Sequence, residues 1–109
     1  ETGCNVINIG MIPTPVAYYA TYELNTGTCI MITGSHNPPE YNGLKMMLAG
    51  ETLYGETITD LRDIILKEQF AVGKGLSKTV DLEDQYLKRI TSDINIKRPM
   101  KIAIDCGNG

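Results

Sequence analysis

Two hydrophobic rhythms alternate along this chain, and that alternation limits its possible folds more than any other feature. "CNVINIG", "GTCIMIT" and "GLKMMLA" are short, apolar and bounded by glycine or turn residues, the mark of strands. "PTPVAYYATYEL" spaces Val16, Tyr19, Ala20 and Leu24 for one helical face. Thr14 is its candidate N-cap, and Pro15 stands at the first helical position, where a missing N–H costs nothing. "GETITDLRDIILKE" carries a stripe of Ile58, Leu61, Ile64 and Ile65 that predicts a buried face, with acidic residues early and Lys67 late, as the helix dipole favours. "DLEDQYLKRITSDI" predicts a third helix, capped by Asp81, with Leu82, Tyr86, Leu87, Ile90 and Ile94 on its apolar side. "FAVGKGLSKTV" reads as a glycine-containing connection and "MKIAIDCGNG" as a strand running into a turn. Strands alternating with helices predict an α/β sheet covered by helices on both sides. "CIMIT" lacks polar alternation, which predicts a strand covered on both faces.

With 109 residues there is room for one modest domain and not for two complete ones. Pro99 restricts Arg98 to extended backbone, so the segment from Asn95 to Pro99 is the best boundary. The division expected is residues 1–98 as a partial N-terminal α/β domain and 99–109 as the first strand of a second. Glu1 is no initiator, and the last strand stops at a glycine turn, so a piece of a longer protein is expected.

Composition removes several classes of function. A net charge of −3 lacks the basic face that nucleic acid requires. No apolar run approaches the roughly 20 residues of a membrane span, and no leader pattern opens the chain. Cys4, Cys29 and Cys106 are widely spaced, and His36 is the single histidine, which argues against zinc. Buried free thiols in a reducing cytoplasm are expected.

The chemistry concentrates in "MITGSHNPPEYNGLK", which follows the second strand directly. Ligands of α/β sheets gather beyond the carboxyl ends of strands, and Ser35 falls there. Gly34, Asn37-Pro38 and Asn42-Gly43 each favour a tight turn, giving a stiff loop. The plain alternative is a polar connection, although a proline-stiffened loop carrying a histidine is a poor choice for one. A serine hydrolase needs a base within reach and an orienting acid. His36 adjoins Ser35, and neighbouring side chains on extended backbone point apart; the GxSxG spacing is absent as well. A phosphate-carrying serine suits the loop better, because phosphoryl transfer asks mainly for placement and charge stabilisation. Gly34, His36, Asn37 and Lys45 offer N–H donors and positive charge. The nucleotide loop GxxxxGK[ST] does not occur.

"TGSHNPPEYNGLK" resembles the phosphoserine loop of the α-D-phosphohexomutase superfamily, usually T-[AG]-S-H-N-P. "GMIPTPVAYYA", "AGETL" and "DCGNG" resemble segments found at similar separations in the bacterial phosphomannomutase/phosphoglucomutase family. The resemblance implies a three-layer α/β/α sandwich with a mixed sheet, here incomplete. It implies that Ser35 is phosphorylated and passes its phosphoryl group to a sugar monophosphate, so that phosphate moves between C1 and C6 of mannose or glucose through a bisphosphorylated hexose. It implies Mg²⁺ bound through a phosphoserine oxygen of Ser35 and aspartates outside this chain. Lys45 matches a lysine taken as an acid/base group; His36 and Asn37 match residues that shape the loop and hold the phosphate.

Each carry-over has a plainer counterpart. Lys45 could be a solvated edge charge, His36 could bond only loop backbone, and Asn37 could serve the turn alone. Tyr18, Tyr19 and Tyr22 read as core and surface of one helix, and Asp105 and Asn108 are assigned no chemistry. The family's DGDxDR metal loop, its sugar-recognition segment, its C-terminal phosphate-binding segment and its opening strand are absent here. The resemblance therefore implies a cytoplasmic enzyme fragment, inactive alone, whose partners are a phosphosugar and the remaining domains of its parent. The rivals are a non-catalytic assembly module and, behind it, a serine hydrolase.

Overall fold

The computed structural model describes residues 2–107; Asn108, expected in the closing turn, lies outside the described residues. The elements run β1 (Val6–Asn8), α1 (Thr14–Glu23), β2 (Cys29–Ile32), β3 (Leu44–Leu48), β4 (Glu51–Thr52), α2 (Glu56–Leu66), β5 (Ser77–Thr79) and α3 (Glu83–Ser92). This is the mixed α/β architecture expected. β1 pairs with β5 in parallel, Val6 opposite Ser77, while β2, β3 and β4 form an antiparallel sheet with Met31 opposite Lys45.

Local chemistry explains most boundaries and corrects some. Thr14 is the first residue of α1 rather than its cap; Pro13 precedes it in extended backbone, and no side chain caps the helix. Leu82 rather than Asp81 is the N-cap residue of α3, while Asp81, one residue earlier, accepts the Glu83 N–H with Oδ1 at 3.0 Å. The connection after α2 contains β5, which forms because β1 offers it an edge. Glu51–Thr52 likewise becomes a strand by folding back on Met47 and Leu48. Residues 99–107 contain no strand among the described residues, since no partner strand lies beside them there.

The core is small. α1 buries Val16, Ala17, Ala20 and Thr21 on one stripe, and β3 sends Met47 against it. The Thr21 hydroxyl donates to the Tyr18 carbonyl at 2.7 Å and lies 3.6 Å from Met47 Sδ, so burial leaves it partnered. Leu82, at the head of α3, is also buried, and the Tyr86 ring meets that of Tyr19 with centroids 5.3 Å apart.

Much apolar surface stays open. β2 alternates between its α1 side and a bare side, where Ile30 and Ile32 are 62% and 69% exposed, so it is covered on one face rather than two. The α2 stripe is not buried either: Ile58, Ile64 and Ile65 are exposed because no described element packs on them. On α3, Leu87 and Ile90 are open too. A radius of gyration of 17.9 Å fits this picture, against about 13 Å for a compact domain of such length. Cys29 is half-buried, whereas Cys4 and Cys106 are exposed, contrary to the expected burial; all three thiols are free. Desolvation pushes the Cys29 thiol up, with the Met47 backbone opposing. Among the described residues no helix is long and apolar enough to cross a membrane.

Candidate functional site

β2 and β3 are the two arms of a hairpin, and the serine loop is its crest. The ladder persists one step past Ile32: the Thr33 N–H donates to the Gly43 carbonyl at 2.9 Å. Two turns follow within the loop. Asn37 N–H donates to the Gly34 carbonyl, and Tyr41 N–H to the Pro38 carbonyl, each at 3.0 Å. The glycines supply room rather than unusual torsion, since a β-carbon on Gly34 would stand 3.1 Å from the Tyr41 carbonyl oxygen.

The unusual torsion belongs to Ser35, with φ at 51°, a left-handed conformation that a non-glycine residue adopts at a cost. Its N–H donates to Thr33 Oγ1 at 3.0 Å, which anchors the turn from inside. Nothing in the residue pattern distinguishes Thr33, although a hydroxyl bonding the amide two residues on is a familiar turn device. With Ser35 left-handed, the expectation that Ser35 and His36 point apart fails. Ser35 Oγ lies 3.3 Å from His36 Nδ1, and both residues are exposed.

The remaining predicted residues are placed differently. Asn37 takes part through its backbone N–H. Lys45 sits on β3 opposite Met31, exposed, and makes no ion pair among the described residues. The Ser35–His36 contact removes one objection to a hydrolase, but no carboxylate pairs with His36 among the described residues, so the orienting acid is lacking. A separate cleft of about 550 Å³ opens where β1 and β5 end, between Met11, Val16, Val80 and Leu87; no serine-loop residue lines it.

Magnesium finds no set of ligands here. Among the described residues no three His, Cys, Asp or Glu side chains gather to hold an ion, and Ser35 as a neutral alcohol is a poor single donor for a cation that prefers carboxylate and phosphate oxygens.

Comparison with known proteins bears on the whole chain. Residues 1–72 match the family model described as phosphoglucomutase/phosphomannomutase, alpha/beta/alpha domain I. The chain is 55% identical to a phosphoglucomutase of Neisseria meningitidis serogroup B and 50% identical to a phosphomannomutase/phosphoglucomutase of Pseudomonas aeruginosa. Both alignments cover all of this chain and 24% of the relative, so the chain spans about a quarter of their length. A crystal structure of a phosphoglucomutase/phosphomannomutase family protein from Burkholderia thailandensis superposes with a TM-score of 0.88 at 44% identity, covering 99% of this chain and 25% of that one. With the family model matching residues 1–72 and these relatives aligned over essentially the whole of it, this chain belongs to the phosphoglucomutase/phosphomannomutase family.

Proposed function

We propose that this chain is the phosphoserine-bearing part of a phosphohexomutase, an isomerase that moves phosphate between C1 and C6 of glucose or mannose phosphate, and that Ser35 carries the phosphate. The observation that carries the proposal is the Ser35 hydroxyl itself, exposed at the crest of a hairpin whose turns are closed by their own backbone. A catalytic step that needs chiefly placement and charge stabilisation is served by such a loop. Phosphorylated Ser35 gives its phosphoryl group to a hexose monophosphate, and the bisphosphorylated hexose turns over in the site. Ser35 then recovers a phosphoryl group from the other end.

Within this chain Asn37 closes the turn that presents Ser35. His36 shapes the same turn, and Lys45 offers a cation on the strand that leaves the loop. Mg²⁺ supplies charge neutralisation at the phosphate when it is bound; its ligands apart from a phosphoserine oxygen come from outside this chain. The phosphosugar and the remaining domains of the parent protein are the partners. The boundary after Arg98 and a cytoplasmic location belong to the same proposal.

The test is intact mass measurement on the full-length protein that contains this chain. The expected result is one phosphoryl increment in the wild type, lost in Ser35→Ala together with mutase turnover. An increment that persists in Ser35→Ala, or turnover that survives it, overturns the assignment.

A further inference from the structure

We infer that His36 stabilises the unphosphorylated form of Ser35, its Nδ1 accepting the hydroxyl hydrogen bond, and thereby sets the balance between phosphoserine and bisphosphorylated hexose. The inference rests on the phosphoserine reading above and adds to it an atom and a direction. Consecutive side chains on extended backbone project to opposite sides, so a Ser-His pair in sequence does not ordinarily meet. The left-handed φ of 51° at Ser35 removes that alternation and leaves Oγ 3.3 Å from Nδ1. Among the described residues the ring has no competing partner: no other side chain makes a polar contact with His36 and no carboxylate lies within ion-pair range.

The 3.3 Å contact fits either direction, Oγ–H to Nδ1 or Nδ1–H to Oγ, and we assign the first, which places the ring proton on Nε2. In that direction the contact exists only while Oγ carries its proton, whereas an Nδ1–H donor would persist on the ester oxygen of phosphoserine. When Ser35 accepts phosphate, the bond between phosphorus and one hexose oxygen breaks as the bond from phosphorus to Oγ forms. The serine proton ends on the freed hexose oxygen. Phosphoserine and a hexose monophosphate are the products, and the Oγ–H donor is gone. His36 therefore favours one side of this exchange only. Removing the imidazole moves the equilibrium toward phosphoserine by what one hydrogen bond is worth, about threefold to tenfold. If the ring instead served chiefly to hold the attached phosphate, the shift would run toward free serine.

The experiment brings the full-length protein to equilibrium with glucose 1,6-bisphosphate and glucose monophosphate at fixed ratios and reads the phosphorylated fraction by intact mass. His36→Ala is expected to raise the equilibrium constant for phosphorylation about threefold to tenfold. His36→Asn, whose amide oxygen reaches the place of Nδ1, is expected to restore most of the wild-type balance; His36→Gln, which reaches the place of Nε2, is not. A purely structural role would disturb rates and stability without moving this equilibrium. An unchanged constant in His36→Ala, a shift toward free serine, or rescue by Gln and not Asn overturns the inference and leaves the phosphoserine reading intact. A wild-type protein that takes no phosphate on Ser35 overturns both, and the wild-type baseline makes that outcome distinct.

Discussion

The backbones of Thr33 and Gly43 face each other across the neck of the serine loop: the Thr33 N–H donates to the Gly43 carbonyl at 2.9 Å, and a β-carbon on Gly43 would lie 2.8 Å from the Thr33 carbonyl oxygen. Both partners are backbone and neither can swing aside. Gly43→Ala should therefore push the arms of the hairpin apart. A loss of about 1–3 kcal/mol, typical of overpacking at a tight site, is expected in denaturant unfolding of the full-length protein. Slower phosphorylation of Ser35 should accompany it.

Replacement of Ser35 separates chemistry from conformation. Both Ser35→Ala and Ser35→Gly lose the oxygen proposed to bear phosphate, so on that proposal both should be inactive. At φ of 51° alanine keeps the left-handed penalty and glycine escapes it. Ser35→Gly should thus be about 1 kcal/mol more stable than Ser35→Ala, measured side by side in urea. Equal stability would show that the left-handed turn does not persist in solution.

Met47 is the main packing link between β3 and α1. Truncation to alanine should cost about 2 kcal/mol, the low end for buried methionine, since the surrounding core is thin enough to collapse partly. Met46, on the opposite face and half-buried, should cost less than half as much when truncated. Thermal unfolding of both variants checks the ranking.

Tyr19 should hold its proton to higher pH than an ordinary tyrosine. Desolvation raises its pKa above 10.0, and the hydrogen bond to Glu23 at 3.0 Å adds to this. A folded-state pKa above the unfolded one means that the contribution to stability is complete below pH 10.0 and is lost as pH rises through the folded value. Stability should begin to fall above about pH 10, and Tyr19→Phe should flatten that part of the profile. Phenolate absorbance during an alkaline titration follows the group directly.

The alternation of strand and helix, the three helices and the turns of the loop between β2 and β3 were all legible in the residues, because each rests on local spacing or turn chemistry. What could not be read depends on contacts distant in sequence. β5 looked like a connection because its pairing partner, β1, lies far upstream. "MKIAIDC" looked like a strand because its composition is right, yet among the described residues no edge lies beside it. The stripe of Ile58, Ile64 and Ile65 is a true helical stripe, but a pattern states what a helix is able to bury and not whether a partner is present. At the loop, residue types pointed to Ser35, while the left-handed backbone that brings His36 to it left no trace in composition.

Every hydrogen bond found within the serine loop among the described residues starts and ends between Thr33 and Gly43. The crest is consequently self-contained, drawing its form from its own segment and from two strand ends in fixed register. It should be portable: grafted onto an unrelated antiparallel hairpin of matching register, the same short stretch would rebuild its alcohol–imidazole geometry in a foreign host.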